Sequence, residues 1–301
     1  MQNQNTFSNL NNKEKDIMTV SIIKGLIMDT VRHANSGHTG GPMSSSDFAY
    51  ILYKDFLNFD PNNPNWFNRD RFILSAGHES ALQYVLLTMI GWLELDDLKK
   101  FRQLHSKTPG HPEIEIDGVE CTTGPLGQGF GMSTGMAFAE SFLHNTLKNI
   151  DKEASSLVDH FTYVIASDGD MQEPITLGSA SLSGHLGLSK LIVFYDSNEV
   201  QISGGVSRSD STDYGAVFKG FGWHVQKIDG HDHDSIRTAI IKAQKSNCPS
   251  LIIGETIMAK GSDGMEGDFN THGAPLPQDE IDATKIKLGI KSESFFLPEE
   301  V

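Results

Sequence analysis

The chain has 301 residues, enough to bury a full core, and its 38% hydrophobic and 21% charged residues are those of a globular protein. Its formal net charge of −15, with no run of Lys or Arg, excludes a nucleic-acid surface, because counterion release needs clustered positive charge. No apolar run approaches the ~18 residues that span a bilayer, and the two cysteines, Cys121 and Cys248, give no disulfide framework, so a cytoplasmic setting without a membrane partner is expected.

After a polar leader over residues 1–15, Ile17, Val20, Ile23, Leu26, Ile27 and Val31 recur at helical spacing and predict a helix over 16–34. The glycines and proline of NSGHTGGPMSSSD end it, and Ser44 to Asp47 offer caps for a helix over 48–57. RDRFILSAGHES predicts a short buried strand over 72–74, a loop with a histidine at its tip, and a helix over 81–90. Residues 163–166 and 191–195 are continuous apolar runs of the kind found in parallel strands covered on both faces, with a helix over 176–188 between them. Strands over 222–228 and 251–254 follow, separated by a helix over 234–245. This alternation predicts an α/β fold over 16–301: a doubly wound, mostly parallel sheet with helices on both faces. Ligands of such sheets sit beyond the carboxyl ends of the strands, where SDGD, SAGH and the turn from Tyr195 to Asn198 all fall.

The glycine-rich run TTGPLGQGFGMSTGMAFAE lacks the dinucleotide fingerprint, since the third glycine position holds Met132 or Thr134, and no Walker motif follows. Gly131 and Gly135 read as helix-packing glycines, while Gly124, Gly127 and Gly129 read as bare backbone ahead of the helix, open to a flat or anionic ligand. The turn SDGDMQEP places Asp168, Asp170 and Glu173 at a strand mouth, where carboxylates must be solvated, cap a helix or hold a cation. Asp168 follows one strand and Asn198 the next, so both fall at adjacent strand ends; a hard divalent ion on a diphosphate needs such a carboxylate and amide oxygen.

The run SDGDMQEP…HLGLSKLIVFYDSNEVQISG resembles the thiamine diphosphate signature of Gly-Asp-Gly and a later Asn. With SGHTGGPMS, RDRFILSAGH, TPGHPE, GPLGQGFGMSTGMA and HGAP in order, residues 15–301 are similar to the amino-terminal half of transketolases. The resemblance implies thiamine diphosphate and Mg²⁺ (or Ca²⁺) as cofactors, with Asp168, Asn198 and the Val200 carbonyl on the ion and the Gly169 backbone at a phosphate oxygen. It places Gly124, Pro125 and Leu126 beside the cofactor. Glu173 joins the cofactor-binding set through a carboxylate network at the subunit interface, and Asp170 keeps no role beyond a solvated or capping acid.

Four loop histidines match the family's channel: His78 near the diphosphate, His111 at the donor ketose hydroxyls, His38 and His272 near the reacting carbonyl. Neutral imidazoles suit such proton movement. His33, His105, His144, His160, His185 and His224 read as surface or satisfied core residues, and His231 and His233 as a turn after a strand, since a zinc site lacks its third and fourth ligands. The implied activity is transfer of a two-carbon ketol unit from a ketose phosphate to an aldose phosphate. The pyrimidine-binding and C-terminal domains lie beyond this chain, so the expected partner is a separate C-terminal transketolase subunit, in a heterotetramer or similar dimer of pairs. Ser167 and Pro174 stand where the family pattern has glycines, which predicts a stiffer turn, and the acidic KGSDGMEGDFNTHGAP leaves the donor sugar open. The alternatives are a non-catalytic or fragment cofactor-binding module and another thiamine diphosphate enzyme subunit; TPGHPE with HGAP favours transketolase.

Overall fold

The computed structural model describes residues 7–301. Residues 1–6 of the expected leader lie outside that range. The first helix, α1 (Asn12–Ala34), starts four residues before the predicted start at residue 16. The reason is a capping box: the Asn11 side chain accepts from the Glu14 N–H at 3.0 Å while the Glu14 carboxylate accepts from the Asn11 N–H at 2.8 Å. NSGHTGGPMSSSD is not wholly a loop, because it contains the buried turn α2 (Gly40–Ser44), followed at once by α3 (Ser46–Asp55).

Strand β1 (Arg71–Leu74) leads through the SAGH loop into α4 (Ser80–Met89), and the short α5 (Leu95–Leu98) follows. The long α6 (Gln128–Ile150) precedes β2 (Thr162–Ser167), the single turn α7 (Asp168–Met171) and α8 (Pro174–Leu186). After β3 (Leu191–Ser197) comes a small hairpin, β4 (Val200–Gln201) and β5 (Gly204–Gly205), then α9 (Tyr214–Gly220), β6 (His224–Asp229), α10 (His233–Gln244), β7 (Ser250–Glu255) and α11 (Gln278–Lys287).

The main sheet has the order β1-β2-β3-β7-β6, parallel at every pairing. The continuous apolar strands serve both faces, as their composition predicts. Tyr163, Ile165, Ile192, Phe194 and Ile252 point to a core shared with α1, α3, α4 and α10, whereas Val164, Ala166, Val193, Tyr195 and Leu251 point to a second core with α6, α8 and α9. Phe48 stacks on Phe194 with ring centroids 4.0 Å apart, fixing α3 against the middle strand. Among the described residues no helix is long and apolar enough to cross a membrane.

Candidate cofactor site

The register of β2 on β3 pairs Ser167 with Asp196, so both chains leave the sheet side by side. Asp168 is buried immediately beyond that pair. One carboxylate oxygen accepts from the Tyr195 hydroxyl at 2.5 Å and the other from the Glu199 N–H at 2.9 Å, which brings Asp168 against the residue between Asn198 and Val200. Burial, followed by the neighbouring charge of Asp196, pushes the Asp168 carboxyl up to about 7 although the Tyr195 hydroxyl and the Glu199 N–H oppose the shift. Asn198 donates its amide to Asp196 at 2.8 Å, and its carbonyl oxygen accepts from the Val200 N–H at 3.0 Å.

Asp170 is fully buried and is a capping acid, never a solvated one. It accepts from the Ser75 hydroxyl (2.7 Å), the Gly127 N–H (2.7 Å), and the Ser167 N–H and hydroxyl (2.9 Å each). This ties the glycine loop to the acid turn. Leu126 and Gly169 meet there: a Cβ on Gly169 would stand 2.8 Å from the Leu126 Cδ1, so a side chain there would make Leu126 shift. Pro125 is exposed at the rim of the same loop. Gly124 lies against His111, whose Cγ would be 3.3 Å from a Cβ there. Gly129 is not ahead of the helix but inside α6. Of the two expected packing glycines, Gly131 faces Ile175, while Gly135 has nothing near it.

Three of the loop histidines form one cluster. Ring centroids are 4.9 Å apart for His38 and His78, 5.6 Å for His38 and His272, and 5.3 Å for His78 and His272. The loops are tied by the Thr39 hydroxyl, which donates to the Ala274 carbonyl at 3.0 Å. Burial, then the charge of His272 and Arg102, lowers His38 to about 4; burial also lowers His78 and His272, and His111 less completely enclosed shifts the same way. All four are neutral donors at pH 7. The Arg102 guanidinium lies 3.5 Å from His38 Nδ1 and can only donate, which leaves the proton on Nε2.

Glu173 stands half-buried beside the turn, and its carboxylate has no hydrogen bond or ion pair among the described residues. Composition gave no hint of Glu79 or Asp196, both buried on this edge. Asp196 could have been suspected from its place after a fully apolar strand; Glu79, inside SAGHES, carried no signal. His231 and His233 are more than a turn, because both bond the buried Asp47, at 3.0 and 2.8 Å.

The residues present fit a divalent ion and a diphosphate. Asp168, Asp170, Asp196 and Glu79 are buried on one edge, and none has a Lys or Arg partner among the described residues. The His272 Nδ1 and Thr123 hydroxyl are buried without a hydrogen-bond partner among the described residues. Carboxylate, amide and backbone oxygens are the donor set of Mg²⁺ or Ca²⁺. Another grouping, Glu140, His144 and Asp159, brings three ligand atoms within 4.8 Å of one another at the opposite end of the strands. There the Lys190 ammonium bonds Glu140 at 3.0 Å and also Asp159, and His144 Nδ1 serves the Val158 carbonyl at 2.9 Å, so a salt bridge already fills it. A 470 Å³ cavity beside Asp168 is lined by Tyr195, Glu199, Asp210, Tyr214 and Lys227 and touches none of the loop histidines.

Comparison with known proteins bears on the family and the fold. The chain is 47% identical over 291 residues to a transketolase of Staphylococcus epidermidis, covering 96% of this chain and 44% of that protein. It is 49% identical over 282 residues to transketolase 2 of Aliivibrio fischeri, covering 93% and 42%. Its structure superposes on transketolase from Campylobacter jejuni with a TM-score of 0.91 at 41% identity, over 97% of this chain and 45% of that one. The Leishmania mexicana transketolase gives the same TM-score at 38% identity, over 94% and 43%. The chain thus spans less than half the length of these relatives. The family model for the transketolase thiamine diphosphate binding domain matches residues 15–301, and the chain belongs to that family.

Proposed function

We propose that residues 16–301 are the diphosphate-binding domain of a cytoplasmic transketolase. In this reading the chain transfers a two-carbon ketol unit from a ketose phosphate to an aldose phosphate only with a pyrimidine-domain partner. The observation that carries it is the pairing of Asp168 with the Asn198–Val200 turn on an edge rich in buried carboxyls that have no Lys or Arg partner among the described residues. Asp168, Asn198 and the Val200 carbonyl would hold Mg²⁺ or Ca²⁺, offsetting the repulsion between an acidic site and a diphosphate. The Gly169 backbone and His78 would contact the phosphates, with Gly124, Pro125 and Leu126 flanking the cofactor.

When bound, thiamine diphosphate supplies the carbon chemistry that cleaves and rebuilds the ketose. The chain's own part is to orient, exclude water and move protons. His111, the most exposed of the four, would hold donor hydroxyls, while His38, with its proton on Nε2, and His272 would exchange protons at the reacting carbonyl and hydroxyls. The need for a partner is supported by an uncovered apolar face on α6 and α8, where Phe138, Phe142, Ile175 and Leu182 are each about half exposed. Glu173 lies at its edge, in keeping with a subunit-interface role and with a dimer of pairs.

Calorimetry of thiamine diphosphate with Mg²⁺ tests the reading. Weak binding to the chain alone, tighter binding with a pyrimidine-domain subunit and loss in Asp168→Ala are expected. Unchanged affinity in Asp168→Ala would remove the metal assignment, and full ketol transfer by the isolated chain would remove the need for a partner.

A further inference from the structure

We infer that His231, in the turn that follows β6, is a positioning residue that sets which way the Asn198 amide faces; this rests on the metal reading of Asn198. The relay begins at Asp47 on α3. This buried carboxylate takes the Lys24 ammonium at 3.0 Å, His233 Nε2 at 2.8 Å and His231 Nδ1 at 3.0 Å. A carboxylate already bridged by an ammonium accepts and does not donate, so His231 Nδ1 carries the proton. Nε2 is then free to accept, and it takes the Ile257 N–H at 2.9 Å.

That bond fixes the chain where it leaves β7. One residue earlier, the Thr256 N–H donates to the Ser197 carbonyl at 3.3 Å and its hydroxyl donates to one oxygen of Asp196. The other Asp196 oxygen accepts from the Ser44 hydroxyl at 2.5 Å and the Asn198 amide at 2.8 Å. With its NH₂ committed to Asp196, Asn198 turns its carbonyl oxygen the opposite way, where the Val200 N–H occupies one lone pair and the second stays available. His231 thus holds Thr256, Thr256 holds Asp196, and Asp196 aims a ligand oxygen. Partners that orient metal ligands in this way commonly change affinity by ~10–100-fold when removed.

Two substitutions separate this role from simple packing. His231→Phe keeps a ring and loses both bonds, whereas His231→Gln restores one donor and one acceptor at similar separation. The first readout needs no metal: the side-chain NH₂ resonances of Asn198 in the isotope-labelled full chain, assigned with Asn198→Ser. Wild type and His231→Gln should share the same dispersed pair, and His231→Phe should shift or broaden it. If His231→Phe does not fold, Thr256→Val breaks the next link and should move the same resonances. The second readout is Ca²⁺ affinity in the presence of thiamine diphosphate, expected to fall ~10-fold in His231→Phe and to recover in His231→Gln. Asn198 resonances unmoved by His231→Phe, or by Thr256→Val where that variant is used, would overturn the inference. Wild-type Asn198 resonances that ignore Ca²⁺ with thiamine diphosphate would instead overturn the metal reading, whatever the substitutions do.

Discussion

Asp170→Ala is the most informative perturbation of the scaffold beneath the site. Asp170 is fully buried and accepts four hydrogen bonds, two of them from the Gly127 and Ser167 backbone N–H groups. Truncation leaves those two donors buried without acceptors, at ~1–3 kcal/mol each, whereas the hydroxyls can rotate to other acceptors. The expected loss is about 4 kcal/mol. With an unfolding entropy of roughly 2.1 cal/mol/K per residue, the chain's melting point should drop by about 6 °C. Urea unfolding checks the free energy independently of temperature.

Asp170→Asn should lose about half as much, because one oxygen still accepts while the new NH₂ faces N–H groups. Adding Ser75→Ala in both backgrounds should reveal a coupling of about 1 kcal/mol, since the Ser75 hydroxyl bridges Asp170 and the Phe130 N–H. A loss in Asp170→Ala no larger than that of the exposed control Asp117→Ala would refute the donor count and the tethering it implies.

Gly129→Ala and Gly135→Ala should move in opposite directions in thermal melts. A Cβ at 129 would lie 2.6 Å from the Ser75 Cα and cost about 1–3 kcal/mol, while position 135 is open and gains up to ~1 kcal/mol of helix propensity. Lys285→Met should destabilise by about 3–5 kcal/mol in urea, because it strands Asp29, to which the buried ammonium holds both oxygens at 2.7 and 2.8 Å; a loss below ~1 kcal/mol would contradict a paired buried charge. Burial, then the cations Arg71, Lys190 and Arg69, lowers His160 to about 4 from 6.5. The unfolded chain therefore takes up a proton that the folded chain refuses, and stability falls as pH drops from about 6.5 toward 4, by up to ~3 kcal/mol. His160→Gln should flatten that part of the slope, and an identical slope in the variant would dismiss the assignment.

The strands were legible because both faces are buried, which makes residues 163–166 and 191–195 apolar without alternation. The helices over 16–34, 81–90 and 234–245 were legible to within a few residues for the complementary reason, a periodic apolar face. Elements made by distant partners were not. The turn α2 is built from glycines and a proline that no propensity favours, and it persists because it is packed among buried neighbours, with the Ser44 hydroxyl bonded to Asp196. The start of α6 was misplaced by Gly129 because its true boundary is set by Gly127, whose N–H is held by Asp170 forty-three positions away. The four loop histidines could be selected from glycine- and proline-bounded loops, and three of them do converge. Asp196 was open to suspicion only from its place at the end of an apolar strand, and the roles of Asp47 and Glu79 could not be selected, since such buried acids announce themselves only through contacts that local sequence does not contain.

The three acids of SDGDMQEP show why counting donors sorts carboxylates better than counting charges. Asp170 meets four donors and is saturated, so it can serve only as scaffold. Asp168 meets two, is buried beside Asp196 and is pushed up to about 7, a carboxylate short of positive charge that a divalent ion would complete. Glu173 meets none among the described residues and stays half-buried at the margin of an apolar face. The substitutions that depart from the family pattern fit this ordering. Ser167 closes a reciprocal capping box with Asp170, and Pro174 occupies the first turn of α8, where its missing N–H costs nothing. The turn that carries Asp168 is thus closed from behind by a second, buried acid.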